Sequence, residues 1–185
     1  TWRIKHSMFR VSRYGAGMEL IDIGVNLGSD RFDEDRSEVV ERALGAGVRQ
    51  MILTGCSVES TEEALRMART RPGCLYASAG VHPHDAKTWN SDVAKRIREL
   101  AQEPEIVAIG ECGLDFNRDF SPRPAQESAF SAQLEIASDL RMPVFLHERD
   151  ASERFDGILT SHRAHLVGGV VHCFTGNEWA LERWL

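Results

Sequence analysis

The 185-residue sequence lacks any apolar run long enough to cross a lipid bilayer. Its longest runs, such as residues 106–109 and 142–146, have the length of a strand and fall far below the ~20 residues of a membrane helix. Glycine and proline are not strongly enriched, at 15 and 6 residues, while hydrophobic residues make up 42% and charged residues 27%. These shares are ordinary for a globular chain and exclude collagen, coiled coil and extensive disorder. At about 150 residues per domain, the length predicts one domain.

Cysteine is sparse as well, because the chain has four cysteines and no C-x-x-C pair. This pattern disfavours both a disulfide scaffold and a structural zinc site, and we expect a protein of the reducing cytoplasm. The G-x-S-x-G turn that carries the nucleophile of many serine hydrolases is missing. Residues 24–28, GVNLG, follow the first apolar run and do not match the G-x-G-x-x-G turn of dinucleotide-binding sheets.

Acidic residues are absent from the first 18 positions. The formal net charge of the chain is −6, and because four of its cations lie in this leader, the remainder carries −10. We interpret residues 1–18 as a basic leader (a transit segment, an over-long start before Met18 or residues from cloning) and residues 19–185 as the domain. An acidic remainder disfavours a broad DNA-binding surface, since non-specific affinity comes from cations that neutralise phosphates.

Six short apolar runs recur along the domain, with centres about 25 to 37 residues apart. That spacing fits a strand, a loop, a crossover helix and a second loop. The runs are apolar on consecutive residues, as in parallel strands that are covered on both faces. The sequence therefore predicts an α/β fold with a parallel sheet whose strands are residues 20–25, 50–53, 75–79, 106–109, 143–146 and 167–171.

Helix signals lie between these runs. Ser60 and Glu63 have the spacing of a capping box, and residues 130–137 carry apolar side chains at helical spacing. Gly45 is expected to end the first helix, and residues 176–185 begin a helix in the sixth βα unit.

Ionisable or polar residues mark the carboxyl end of strand after strand. In a closed (β/α)₈ barrel, all of these ends converge on the face where barrel enzymes keep their active sites. Their recurrence therefore favours a TIM barrel over an open doubly wound sheet. A complete barrel needs about 250 residues, so we expect this chain to supply about six of its eight βα units and to leave two strand edges unpaired. The residues in question are Asp22, Asn26, His82, His84, Glu111, Asp115, His147, Glu148, Asp150 and His172.

Glu111, His147 and His172 each end or follow a predicted strand. One carboxylate and two imidazoles from neighbouring strands can form the shell of a divalent metal ion with positions left open for water and substrate. The alternative is that each of these groups ends its strand and meets solvent.

Three further residues are candidates for substrate binding. His82 and His84 flank a proline in the loop after the third strand, where imidazoles can bind phosphate oxygens or a metal, or simply pack the loop. Arg149 is a candidate phosphate contact, whereas Lys87 fits better as a solvated charge. Cys112 and Cys173 occupy strand ends that suit small buried side chains, so we expect no nucleophile there.

Taken together, five motifs resemble the successive signatures of the TatD family of metal-dependent deoxyribonucleases, and most closely its TatD branch. The resemblance runs from Leu20 to the last residue in the right order. It implies a TIM barrel of the metal-dependent hydrolase superfamily that cleaves phosphodiester bonds in DNA. For this branch it implies a 3′–5′ exonuclease that prefers single strands. The motifs are residues 22–27 (DIGVNL), 80–85 (GVHPHD), 108–117 (AIGECGLDFN), 142–147 (MPVFLH) with 149–151 (RDA), and 171–176 (VHCFTG).

The resemblance also implies roles for individual residues. Glu111, His147 and His172 match the family's metal ligands, with Glu111 central to catalysis, and His82 and His84 match a motif near its substrate site. The expected ion is Mg²⁺, with Mn²⁺ or Zn²⁺ as alternatives. The expected substrate is DNA, with RNA as a second one, and the complete protein is expected to be a monomer without membrane contact.

Three departures from the family pattern narrow these expectations. Gly24 and Asn26 stand where many members have two metal-binding histidines. This difference affects the expectation of a second metal ion more than the expectation of activity. The family continues for roughly 75 further residues, as a full barrel requires, and an aspartate there completes the metal site. Glu148 stands where a cysteine is common. The alternatives left open are an amidohydrolase or lactonase acting on a small molecule, and an inactive truncated product.

Overall fold

The computed structural model describes residues 19–184, so the predicted leader lies outside the described residues. Within them, six strands alternate with six α-helices. No helix of the described part combines the length and the apolar character that crossing a membrane requires. The strands are β1 (Leu20–Val25), β2 (Val48–Leu53), β3 (Leu75–Ala79), β4 (Ile106–Asp115), β5 (Val144–Arg149) and β6 (Gly169–His172). The helices are α1 (Arg36–Gly45), α2 (Val58–Ala68), α3 (Ser91–Leu100), α4 (Arg123–Leu140), α5 (Ser152–His162) and α6 (Glu178–Trp184).

All six strands are parallel and lie in the order β1-β2-β3-β4-β5-β6. An open doubly wound sheet reverses its order at a switch point, whereas a barrel adds each strand beside the preceding one. The unbroken order confirms the predicted architecture of successive βα units of a barrel. Among the described strands, β1 and β6 each pair with a single neighbour.

The predicted strands agree with the structure except at β4. β1 and β3 have the predicted bounds, and β2, β5 and β6 begin or end within three residues of them. The prediction for β4 ended at Ile109, but the strand continues to Asp115 and is buried throughout. Gly113 permits this, because its φ of +143° and its missing side chain let it pair closely with His147 of β5. The extension places Glu111 and Asp115 inside the sheet.

The predicted helix signals were partly wrong. Helix α2 begins at Val58 with Ser57 as its N-cap, three residues before the predicted cap at Ser60. The Ser57 hydroxyl accepts from the Ser60 amide, and the Ser60 hydroxyl accepts from the Ser57 amide, so a serine pair forms the capping box without Glu63. Helix α1 ends at Gly45 as predicted.

The core lies between the sheet and the helices that cover it. The predicted apolar stripe of α4 is confirmed, since Phe130, Leu134 and Ala137 are fully buried against the sheet. Phe130 stacks on Phe155 of α5 with ring centroids 5.0 Å apart. This apolar packing fixes the strands, so their carboxyl ends can carry polar side chains. Large apolar side chains are exposed on the outer strand β1, shortly after β6 and on α6, namely Leu20, Ile23, Phe174, Trp179 and Leu181.

We expect the substitution Gly113→Ala to destabilise the fold strongly. A Cβ at Gly113 would lie 2.0 Å from the carbonyl oxygen of His147, on a backbone conformation that alanine disfavours. Backbone strain and overpacking together predict a loss of about 2 to 5 kcal/mol in the free energy of unfolding, measured by urea titration. Gly157→Ala is the matched control, because Gly157 lies inside α5 with open space at its Cβ position, and there alanine should stabilise by roughly 0.5 to 1 kcal/mol. Equal effects of the two substitutions would contradict the packing argument.

Candidate metal centre

A buried carboxylate, Glu111 of β4, lies at the centre of a histidine cluster. Its Oε1 atom lies 2.8 Å from Nδ1 of His147 and 3.4 Å from Nε2 of His82, and it also contacts Nε2 of His172. Glu111 and His147 are only 6% and 5% exposed. Three neighbouring strands therefore bring the predicted set of Glu111, His147 and His172 to one point, and the loop after β3 adds His82.

A second buried carboxylate, Asp115, lies four residues further along the same strand. Its Oδ2 atom is 2.7 Å from Nε2 of His84 and 3.5 Å from Nε2 of His147. Its Oδ1 atom accepts from the backbone amides of Asn117 and Arg118. In the sequence, Asp115 stands at a predicted strand end and has no predicted role. Its even spacing from Glu111 is the signal that puts both carboxylates on one face of a strand.

The histidines of the loop after β3 occupy different positions. His82 is buried, and its Nδ1 atom accepts from the backbone amide of His84, so that Nε2 faces Glu111 and His147. His84 lies in the short 3₁₀ helix Pro83–Thr88, is only partly buried and reaches Asp115. The structure thus places His82 inside the cluster and His84 at its rim.

Two buried glutamines of α4 hold the backbone around the site. The Gln133 amide accepts from the nitrogen of Val81 at 2.8 Å and donates to its carbonyl at 3.0 Å, which ties down the loop before His82. The Gln126 amide makes the same pair of bonds with the backbone of Asp115, at 2.9 and 3.2 Å. Helix α4 therefore positions the site residues of two strand ends, although it contributes no metal ligand to the cluster itself.

Cys56, Arg149 and Cys173 lie at the edge of the cluster. The Cys56 thiol, after β2, donates to Oε2 of Glu111 at 3.6 Å, a contact that no sequence motif indicated. Arg149 ends β5 half-buried, and its guanidinium makes no ion pair within residues 19–184. The prediction that Cys173 is a small buried side chain was wrong, because its φ of +50° turns the chain after β6 and leaves the residue exposed. Cys112 is buried as predicted.

The cluster keeps its carboxylates ionised. Burial by itself raises the pKa of Glu111, but contacts with His147, His172 and His82 outweigh that effect and hold this pKa below its ordinary value. Burial likewise opposes ionisation of Asp115, yet the amide of Arg118 and the His84 ring lower its pKa. Burial lowers the pKa of His82 in spite of its contact with Glu111.

The pKa values of the Cys56 and Cys173 thiols are raised, in contrast to those of the carboxylates. Burial, followed by the negative charge of Glu111, raises the pKa of Cys56. The pKa of Cys173 is raised by the same two causes in the same order. Both thiols are therefore protonated near neutral pH in the metal-free protein.

The donor set fits a divalent cation. One donor atom from each of His82, Glu111 and His147 lies within 4.8 Å of the others, and a second such group consists of His147, His172 and Cys173. The Nε2 atom of His147 is buried without a hydrogen-bond partner in the described part of the chain. A buried nitrogen without a partner is costly unless something binds to it, and a cation bound between the rings and carboxylates would satisfy it.

The chain is similar to known proteins in both sequence and structure. Residues 21–185 match the protein family described as TatD related DNase. The chain is 54% identical over 166 residues to the 3′-5′ ssDNA/RNA exonuclease TatD of Rahnella sp. (strain Y9602), an alignment that covers 90% of this chain and 63% of the relative. The chain thus spans less than two thirds of that relative's length.

Solved structures show the same architecture. A TatD homologue from Escherichia coli K12 superposes with a TM-score of 0.79 at 28% identity, over 89% of this chain and 63% of the homologue. A TatD family hydrolase from Entamoeba histolytica superposes with a TM-score of 0.80 at 25% identity, over 91% and 62% of the two chains. These similarities confirm the predicted barrel architecture for the six βα units described above.

The lowered pKa of Glu111 predicts an acid-sensitive contribution to stability. In metal-free protein kept in chelator, the folded state favours the carboxylate above the pKa of an unfolded glutamate, about 4.3. This contribution is lost as the pH falls below that value towards the folded pKa. We therefore expect the free energy of unfolding to fall faster in the wild type than in Glu111→Gln between about pH 5 and about pH 3. Urea unfolding at each pH measures this, and parallel curves for the two proteins would contradict it.

Proposed function

The chain belongs to the family of TatD-related DNases, and on that premise we propose that it carries the catalytic centre of a metal-dependent phosphodiesterase that acts on DNA. The finer proposal is a 3′–5′ exonuclease that prefers single strands and accepts RNA as a second substrate. The observation that carries the proposal is the convergence of three imidazoles on the ionised Glu111 at the carboxyl end of the sheet. The similarity to the 3′-5′ ssDNA/RNA exonuclease of Rahnella supports the direction and the strand preference.

We assign the metal-binding role to Glu111, His147 and His172, with His82 and Asp115 close enough to complete the donor set. A bound divalent ion would supply Lewis acidity at a phosphate oxygen and lower the pKa of a water molecule. Glu111 contributes an anionic oxygen whose direction is set by the histidines on Oε1 and by the Cys56 thiol on Oε2. The protein therefore holds its central carboxylate from both oxygens.

His84 and Arg149 are the residues that we propose to contact the substrate. Both lie at the rim of the buried cluster and both are partly exposed. His84 is hydrogen-bonded to the buried Asp115, and this contact orients the ring towards a phosphate or a leaving oxygen. Arg149 carries a guanidinium that no carboxylate in residues 19–184 neutralises, so it is available to a phosphate. His82 was predicted in the same role, but its burial against Glu111 favours a place among the metal donors.

The proposed ion is Mg²⁺. Two buried carboxylates and the phosphate oxygens of a substrate are the ligands that Mg²⁺ prefers, whereas the histidines also suit Mn²⁺ and Zn²⁺. We propose the cytoplasm as the compartment, since the four cysteines are free thiols in the structure. We propose a monomer as the state of the complete protein.

We expect His147→Ala to reduce nuclease activity at least about 100-fold in a protein extended to the length of its relatives. The substitution removes the ring that touches Glu111 and approaches Asp115, and a lost ligand should cost no less than the 10- to 100-fold of a lost supporting residue. The measurement is the release of mononucleotides from single-stranded DNA in Mg²⁺, with the label at the 3′ or the 5′ end.

His165→Ala is the matched control for that experiment. His165 is exposed, and its side chain makes no hydrogen bond or ion pair within residues 19–184. Its removal should leave activity unchanged. Wild-type protein that hydrolyses an amide or a lactone but releases no nucleotide would refute the proposal, as would full activity of His147→Ala.

We expect Arg149→Ala to raise the KM for single-stranded DNA by about tenfold or more while changing kcat less, because a phosphate contact contributes mainly to binding. Arg123→Ala is the control, because the Arg123 guanidinium is already paired with Asp119 at 2.8 Å. Steady-state kinetics at fixed ionic strength gives both constants. An unchanged KM in Arg149→Ala would remove this residue from the substrate site.

A further inference from the structure

Cys173 stands beside the cluster but takes no part in the function proposed above. It follows His172 directly at the end of β6, and its thiol forms no hydrogen bond within residues 19–184. One donor atom each of Cys173, His147 and His172 lie within 4.8 Å of one another. The thiol is exposed, so an ion from solvent can reach it.

This group differs in chemistry from the carboxylate centre. A thiolate and two imidazoles are soft and borderline ligands, which select Zn²⁺, Cd²⁺ and Co²⁺ and bind Mg²⁺ poorly. Around Glu111 and Asp115, by contrast, oxygen ligands suit Mg²⁺ or Mn²⁺. The two donor sets share His147, and the predicted shell around Glu111 also uses His172.

The geometry of the group requires only a small adjustment. Tetrahedral ligands at about 2.0 to 2.3 Å from Zn²⁺ lie about 3.4 to 3.6 Å from one another, so the donors must approach by roughly 1 Å. The Cys173 side chain is free to make this movement because it is exposed.

Two features hold the remaining parts of the group in place. The His172 ring stacks on Phe145 with centroids 4.5 Å apart, which orients it. Thr175 accepts from the amide of Asp150 at 3.1 Å, which ties the chain after Cys173 to the end of β5.

The histidine that both donor sets share has an unpartnered nitrogen. His147 is 5% exposed, and its Nε2 atom has no hydrogen-bond partner in the described part of the chain. That nitrogen lies 3.5 Å from Oδ2 of Asp115. A bound cation is the simplest partner for this buried imidazole nitrogen.

We propose that His147, His172 and Cys173 form a binding site for a thiophilic divalent cation, with Zn²⁺ as the physiological representative and Cd²⁺ and Co²⁺ as probes. Binding converts the Cys173 thiol to a thiolate and releases its proton to solvent. Because the site withdraws His147 and His172 from Glu111, occupation by a thiophilic ion competes with the Mg²⁺ centre. The site itself does not depend on nuclease activity, although this competition rests on the function proposed above.

Titration of the 185-residue protein with Cd²⁺ and Co²⁺ tests the proposal directly. A thiolate bound to either ion gives a charge-transfer absorption band that neither free ion nor carboxylate coordination produces. We expect the band to saturate at one ion per chain in the wild type and to be absent in Cys173→Ser. Serine keeps the size of the side chain and the backbone requirement at φ +50°, so the variant should retain the thermal unfolding midpoint of the wild type.

Two cysteine variants are matched controls. Cys74→Ser removes a thiol at the start of β3, outside the cluster, and Cys56→Ser removes the thiol that contacts Glu111. Both should keep the band. We also expect the affinity for Zn²⁺, measured by competition with a chromophoric chelator, to fall at least about tenfold in Cys173→Ser.

The proposal is overturned if the wild type shows no band, if Cys173→Ser keeps it, or if Cys56→Ser loses it. None of these measurements uses nuclease activity. A chain that shows the band but releases no nucleotide from DNA refutes the proposed nuclease alone. A chain that cleaves DNA in Mg²⁺ but shows no band refutes the thiophilic site alone.

Discussion

The burial of one ionised carboxylate is the constraint on which this site depends. A charge removed from water costs far more than packing can return unless other polar groups compensate it. Glu111 meets that condition with a histidine from β5, one from β6, one from the loop after β3 and the thiol of Cys56. Moving any one of these elements would leave the carboxylate with an incomplete shell, so the positions of several strand ends are coupled through a single side chain.

Two features keep the strand ends in these positions: the close approach of β4 to β5, and hydrogen bonds from buried glutamine side chains to the backbone. Gly113 lets β4 run next to β5 past the point where an alanine would collide with the carbonyl of His147. Gln126 and Gln133 then bond the backbone at Asp115 and Val81 from one helix. Polar side chains buried in α4 thus replace backbone bonds that the irregular strand ends lack, which keeps the cluster rigid.

The shared histidines give the cluster two kinds of chemistry. His147 faces Glu111 through one nitrogen and approaches Asp115 through the other, and with His172 it also lies near Cys173. Carboxylates on one side favour hard cations, and a thiol on the other favours soft ones. Because both histidines can serve either set, the identity of the ion decides which donors are engaged, and the concentration of a thiophilic ion becomes a means of control.

The sequence by itself determined the alternation of strands and helices and the residues of the central cluster. Apolar runs, helical stripes and polar strand ends are local patterns, and parallel strands bring their carboxyl ends to one edge whatever the details of packing. That is why Glu111, His147 and His172 could be predicted as a set. Only the tertiary structure showed the extension of β4, the cap at Ser57, the Cys56 contact and the exposure of Cys173. The extension of β4 and the Cys56 contact depend on how distant segments meet. The cap at Ser57 follows from competition between neighbouring hydroxyls, and the exposure of Cys173 follows from its positive φ.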